Sequence, residues 1–239
     1  SGAWQRALFV SHWYESRNLK YGALGTIKIF LLLCTLRFLG YRIIWFRHNH
    51  SVHHAQTRLQ KLFNRSAITL FGLFSTVRIC HGVVAARQYA DTYVPHPKYD
   101  FPEGLLSQQA SLTHAKGDRF IVFGQIKRYK KIEALLSSWP SDIGLLIAGV
   151  FDKEYKEDIL ALIRARSLDI ELDDRFIDDA ELAQLVINSK GVIHVNDGQT
   201  AIVSGTLIYS LSLGVPVYAT RSKMLDEFSD KYVGINVVN

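Results

Sequence analysis

Arg119-Phe-Ile-Val-Phe-Gly-Gln-Ile-Lys-Arg-Tyr-Lys-Lys-Ile-Glu-Ala-Leu-Leu-Ser-Ser138 is the stretch whose reading decides the fold. Residues 119–123 are a short β-branched and aromatic run of strand length, and Gly124 closes it. A loop with Lys127, Arg128, Lys130 and Lys131 follows, then a helical run over 132–138 that Pro140 stops. Strand, glycine, cationic loop and helix form one βα unit.

The same alternation repeats outward from there. Towards the C-terminus, strands are expected at 144–148, 169–172, 191–195 and 215–219, and helices at 153–166, 179–188 and 201–213. Four or five βα repeats make a doubly wound parallel sheet, whose ligands bind at the carboxyl ends of the strands. Towards the N-terminus, strands are expected at 6–12, 41–46 and 77–80. A helix over 22–39 has Ile27, Leu31, Cys34 and Phe38 as its inward face, and Gly40 ends it. Residues 52–65 read as a polar, His-rich helix or loop, 67–74 as an apolar segment and 83–89 as a short helix. Pro95 and Pro97 force extended backbone, so the boundary between domains 4–100 and 101–239 is placed there. The fold class is α/β with two Rossmann-like doubly wound domains.

Charge divides the same way. The net +6 of the 239 residues is the sum of +10 in residues 1–100, where Glu15, Asp91 and Asp100 are the only acids, and −4 in the rest. A basic half can meet nucleic acid, anionic lipid or a phosphorylated acceptor, or be a plain solvated surface. The longest apolar run near the front, residues 29–34, is far below the roughly 18 residues needed to span a bilayer. Cys34 and Cys80 lack metal-ligand spacing and fit a reducing compartment.

Several segments carry candidate chemistry. The loop from Gly124 to Lys131 offers a diphosphate close backbone approach, a helix start and fixed positive charge, although an exposed basic turn has the same composition. Ser204-Gly205-Thr206 can present amides and hydroxyls to a phosphate, or simply cap a helix. Neither a Walker loop nor a dinucleotide fingerprint is present, which disfavours P-loop NTPases and dehydrogenases. His48, His50, His53 and His54 crowd one loop after a strand. Sugar or phosphate recognition, a metal site and a structural role are all compatible with them. His12-Trp13-Tyr14-Glu15 places an aromatic beside polar groups, as a sugar ring requires, and Glu15 is either a general base or the partner of a nearby Arg.

Taken in order, residues 123–131, Leu146-Ile-Ala-Gly149, Phe176-Ile-Asp-Asp179-Ala-Glu181-Leu and Ser204-Gly-Thr…Gly214-Val-Pro-Val217 resemble the donor domain of GT-B glycosyltransferases. The likeness is to the family-4-like enzymes of bacterial exopolysaccharide, capsule and O-antigen synthesis. His12-Trp-Tyr-Glu15 and the strand running into His48-Asn49 resemble their acceptor domain. The resemblance implies a hexosyltransferase that moves a sugar from a UDP- or GDP-sugar to a glycan or lipid-linked acceptor, with no metal or other cofactor. It implies donor contacts from Gly124, Gln125, Arg128, Lys130, Phe176, Ile177, Asn196, Asp197, Thr200, Ser204, Gly205 and Thr206. His12, Trp13, Asn49 and His50 would hold the acceptor, and His48 and Glu15 would act in catalysis. Peripheral contact with the inner face of the cell membrane through the basic half, a cytoplasmic location and no nucleic-acid partner complete the expectation.

The chain also departs from that pattern. Gln125 stands where relatives have a phosphate-binding arginine, and Ala201 and Tyr209 stand where two glutamates are usual. The chain is shorter than a typical member, so a truncated chain or one with unlisted disordered segments is expected. Two further readings stay open: a catalytically degenerate module that binds nucleotide or glycan, and a basic nucleic-acid-binding protein.

Overall fold

The computed structural model describes residues 7–12, 18–49, 57–89, 91–102, 104, 117–195, 202–229 and 232–238. The chain divides into two compact units. The first holds residues 1–96 and 199–203, and the second holds 97–198 and 204–239.

In the first unit, β1 (Leu8–His12), β2 (Arg42–Arg47), β3 (Val77–Cys80) and β4 (Thr92–Tyr93) form a parallel sheet in sequential order. Phe9 pairs with Ile43, Ile44 with Val77 and Cys80 with Tyr93. The crossovers are α1 (Asn18–Phe38), which breaks at Gly22, α2 (Arg58–Phe74) and α3 (Val83–Tyr89). Because the strands add in one direction and crossovers are right-handed, α1 and α2 cover the same sheet face. Ile43 and Trp45 of β2 meet Ile29, Leu33 and Leu36 of α1 and Ala67 and Phe71 of α2 in the core there.

Two local expectations are corrected. The inward stripe of α1 is Ile29, Leu33 and Leu36, whereas Ile27, Leu31 and Phe38 are exposed and Cys34 is half-buried. The helix is apolar on both sides, so periodicity could not choose between its faces; packing against Trp45 and Phe71 did. Residues 58–74 form one helix rather than a polar segment followed by an apolar one. Thr57 and Gln60 close a capping box at its start, and the buried Asn64, Ala67 and Phe71 run through both parts.

A buried ion pair ties β2 to the segment entering β4. Arg47 Nε donates to Asp91 Oδ2 at 2.9 Å, while its guanidinium lies between the rings of Trp45 and Tyr89. Arg78 Nε lies 3.1 Å from the other oxygen, an ion pair without hydrogen-bond alignment.

The second unit has a six-stranded parallel sheet of β5 (Phe120–Phe123), β6 (Leu145–Ala148), β7 (Ile170–Asp173), β8 (Val192–His194), β9 (Val217–Thr220) and β10 (Ile235–Val238). Their spatial order is β10-β9-β8-β5-β6-β7. Its helices are α4 (Ile132–Ser138), α5 (Lys153–Arg166), α6 (Asp179–Ile187), α7 (Gly205–Ser212) and α8 (Lys223–Ser229). The core joins Ile147 and Leu145 of the sheet to Ile132, Leu136, Tyr155 and Ile159 of α4 and α5. The chain runs from β5 outward to β7 and then returns to β8 on the other side of β5. The strand order therefore reverses between β5 and β8, which is where an open α/β sheet forms its ligand crevice.

Candidate functional site

Residues converge at that reversal point in the second unit. Gly124 follows the last residue of β5, and His194 is the last residue of β8. Gly124 has φ 101°, and a Cβ placed there would lie 3.3 Å from Thr206 Cγ2 and 3.8 Å from Lys130 Nζ. The two stretches that the sequence offered for phosphate binding thus meet over one glycine. Gly149, with φ 129°, lets this happen: a Cβ there would collide with the Gly124 carbonyl oxygen.

Lys130 is the buried cation of the loop. It closes a 3-10 turn over Arg128–Lys130, and the left-handed Lys131 then opens α4. The start of α4 is fixed by Tyr155, whose hydroxyl accepts from Ile132 N at 2.8 Å and donates to Glu133. Lys130 Nζ donates to the Phe123 carbonyl at 3.0 Å. Burial pulls its pKa down to about 8, because an ammonium loses hydration there. A buried ammonium beside a glycine loop and a helix start is a charge prepared for an anion.

On the other side of Gly124, Ser204 caps α7, with its Oγ 2.8 Å from His194 Nε2 and 3.0 Å from Thr206 Oγ1. His194 is fully buried. Desolvation, and then the charge of Lys130, lower its pKa to about 3, so the imidazole is neutral. Its Nδ1 has no hydrogen-bond partner among the described residues. With Nε2 protonated, the ring donates to Ser204, Ser204 donates to Thr206, and the Thr206 hydroxyl is left to donate outward.

Tyr209, in α7, holds the helix in place. It packs against Tyr99, Phe101 and Phe123, and its hydroxyl donates to the Asp179 carbonyl at 3.1 Å. A buried aromatic knot therefore occupies the position of the expected second glutamate.

The other expected donor residues differ in their exposure. Arg128 is exposed and bound to Asp158 at 2.7 Å, with its guanidinium over the Tyr155 ring. Gln125 is exposed, Phe176 is largely exposed and Ile177 is buried. Asn196, Asp197, Thr200 and Ala201 lie outside the described residues.

The first unit brings four histidines into a row. His12 ends β1, His48 follows β2, His81 follows β3 and His96 lies beyond β4, so each parallel strand delivers one imidazole to the carboxyl edge of the sheet. His12 Nδ1 lies 3.0 Å from His48 Nε2, and the His12 ring stacks on Phe46 at 4.2 Å. The ring centroids of His48 and His81 are 5.4 Å apart, and those of His81 and His96 are 4.9 Å apart. His81 Nδ1 bonds the Val94 carbonyl at 2.8 Å. Burial, followed by its histidine neighbours, pushes His48 down to about 3; burial first also lowers His81. Asn49 is buried beside His48, and the His48 carbonyl accepts from Ile202 N at 3.2 Å. Trp13, Glu15, His50, His53 and His54 lie outside the described residues. Among the described residues no group of three or more His, Cys, Asp or Glu is arranged to hold a metal ion.

The sequence reading missed His194, His81 and His96. A lone histidine inside the otherwise apolar run 191–195 was the available signal for the first. The other two became meaningful only once the strands were paired.

No protein-family profile matches the chain, and no curated protein matches it in sequence. Solved structures do match. Anabaena HepE bound to UDP superposes with TM-score 0.65 at 14% identity, over 90% of this chain and 63% of HepE. Sucrose-phosphate synthase from Thermosynechococcus elongatus gives 0.63 at 16%, over 87% of this chain and 58% of the synthase. The S. aureus TarM G117R mutant in complex with fondaparinux, α-GlcNAc-glycerol and UDP gives 0.61 at 13%, over 84% of this chain and 41% of TarM.

The fold is GT-B.

At these identities the likeness concerns the fold, and the chain spans less than two thirds of HepE's length. Within the GT-B frame, Gly124, Lys130, His194, Ser204 and Thr206 stand at the switch point of the second Rossmann-like unit. The histidine row stands at the carboxyl edge of the first.

Proposed function

We propose that the chain is the core of a glycosyltransferase that takes a hexose from a nucleotide diphosphate sugar and transfers it to a glycan or lipid-linked acceptor in polysaccharide synthesis. The observation that carries this reading is the buried Lys130 ammonium facing the Gly124–Thr206 crevice. A leaving diphosphate develops negative charge, and a preorganised cation with aligned amides and hydroxyls stabilises it without metal. Lys130, the α7 start at Ser204, Gly205 and Thr206, and the hydroxyl chain from His194 would do that work. The neighbours support the donor class, since HepE was solved with UDP and glucose.

Arg128 is given up to Asp158 in the free protein, so it joins the diphosphate only by releasing that surface pair, which holds it weakly. Phe176 and Ile177 would border the base; Asn196, Asp197 and Thr200 would take the sugar side, with UDP or GDP as the nucleotide. In the first unit, His12, Trp13, Asn49 and His50 would hold acceptor hydroxyls. His48 is a poor proton acceptor, because its conjugate acid is far too acidic for efficient base catalysis. Its role is to orient a hydroxyl, which leaves Glu15 as the candidate base. Both cysteines are free, which fits a reducing, cytoplasmic setting.

Tyr209 favours a second reading, a GT-B module that binds nucleotide or glycan without transfer, because its buried ring replaces a carboxylate. Thermal shift with UDP-, GDP- and dTDP-sugars, followed by turnover assays on the hits, separates the two. Binding with transfer supports the enzyme, and binding alone supports the module. Binding unaffected by Lys130→Ala would sink the donor site itself.

A further inference from the structure

The helix that follows the cationic loop starts in a way its own residues disfavour. α4 opens at Lys131, whose backbone is left-handed, with φ 52° and ψ 37°, and whose side chain makes no capping bond. A left-handed lysine is strained where a glycine is not, and a cation at a helix start opposes the dipole. Ile132 N is thus left without the oxygen that a Ser, Thr or Asp cap supplies.

The cap comes from another helix. Tyr155, buried on α5, accepts the Ile132 N–H at 2.8 Å and donates to Glu133 in the first turn of α4. Burial first, and then Glu133, push the Tyr155 hydroxyl well above its ordinary pKa, so it keeps the proton that it donates. One turn further along α5, Asp158 holds Arg128 at 2.7 Å, and the Arg128 guanidinium lies over the Tyr155 ring at 5.3 Å. α5 therefore grips the loop on both flanks of Lys130, at Arg128 before it and at Ile132 after it. Between these grips the 3-10 turn closes, with Lys130 N donating to the Lys127 carbonyl at 2.9 Å and Lys131 N to the Arg128 carbonyl at 3.1 Å. That turn sends Lys130 Nζ inward to the Phe123 carbonyl. The Arg128 grip is an exposed ion pair and weak, whereas the Tyr155 grip is buried and therefore the stronger of the two.

We propose that Tyr155 is a positioning residue of the donor site: by capping α4 from α5 it holds Lys131 left-handed and keeps the Lys130 ammonium beside Gly124. The consequence for nucleotide binding rests on the donor-site reading. The placement of Lys130 does not, and is measurable in the free protein.

The test is an NMR titration of the lysine Cε signals in the 239-residue chain. The Lys130 signal, identified by its absence from Lys130→Met, titrates near 8 in the wild type. In Tyr155→Phe, which keeps the ring and removes the hydroxyl, it moves up by at least about one pH unit towards the ordinary lysine value of roughly 10.4. Adding Lys131→Gly brings it back towards the wild-type position, because glycine takes the left-handed turn without the clamp. Ile159→Val trims the same core without touching the hydroxyl and leaves the signal in place. At neutral pH the dissociation constant of UDP rises about tenfold in Tyr155→Phe and recovers with Lys131→Gly. If Tyr155→Phe does not fold, Glu133→Ala takes its place and gives a smaller shift in the same direction. An unchanged Lys130 titration in the folded variant, or an equal shift in Ile159→Val, overturns the positioning role. A shifted titration with unchanged UDP affinity upholds that role and overturns the donor-site reading instead.

Discussion

Lys130 Nζ donates a 3.0 Å hydrogen bond to the carbonyl of Phe123, the last residue of β5, and so holds its charge at the point where the strand order reverses. The ammonium is buried at a cost in hydration, and on the proposed reading an arriving diphosphate would compensate for it. Lys130→Met should therefore leave the unit folded while nucleotide binding falls about tenfold or more, the scale of one lost charge-assisted contact. Isothermal titration with UDP or GDP measures this.

The same lysine gives a pH signature. Its pKa in the folded protein is about 8, below its ordinary value. Between about 8 and its unfolded pKa of roughly 10.4, the unfolded chain binds more protons, so this group makes stability rise with pH in that window. Nucleotide affinity runs the other way and declines as pH rises through about 8, because the free site loses its cation. Titrations near pH 8 in buffers of different ionisation enthalpy should show proton uptake on binding.

His194 and His48 predict the acid side. Both have pKa values near 3 in the fold, lowered first by burial. Below an unfolded pKa of roughly 6.5, the unfolded chain takes up protons that the folded chain refuses, so both groups reduce stability as pH falls from there towards 3. Urea midpoints measured across that range should fall in the wild type and fall less steeply in His194→Gln.

Gly149 is a structural requirement of the crevice. It has φ 129°, and a Cβ there meets the Gly124 carbonyl oxygen. Gly149→Ala should cost about 2 kcal/mol or more, since it combines backbone strain with a forced shift of Gly124. Loss of nucleotide binding should accompany the lower urea midpoint; wild-type stability in this variant would contradict the geometry.

Asp91 is the buried anion of the first unit, with a fully buried side chain set against Arg47 and Arg78. Asp91→Asn keeps the shape and removes the charge, leaving Arg47 unpaired in the interior at a cost of about 3–5 kcal/mol. Equilibrium unfolding of the variant is the direct measurement.

Much of the candidate site was legible because its signals are local. Gly124 after a strand and Ser204 before a helix are turn and cap chemistry, which the chain states within a few residues. Lys130 could not be told from Lys127, Arg128 and Lys131, because four cations in a loop share one composition. Only the 3-10 turn, which sends Lys130 inward and Arg128 to Asp158, separates them. His194 and the row of His12, His48, His81 and His96 were unreadable as groups, because their members lie on different strands.

The sequence by itself determined the alternation of strands and helices and the parallel sheets that follow, because hydrophobic period and Gly and Pro punctuation act over a few residues. It could not determine which side of α1 is buried. Ile29, Leu33 and Leu36 are no more apolar than Leu24, Ile27 and Leu31, so only Trp45 and Phe71 could decide. Nor could it determine that Gly124, Lys130, Thr206 and His194 share one crevice. That follows from the return of the chain from β7 to β8 across β5, a long-range pairing fixed by the packing of the whole second unit.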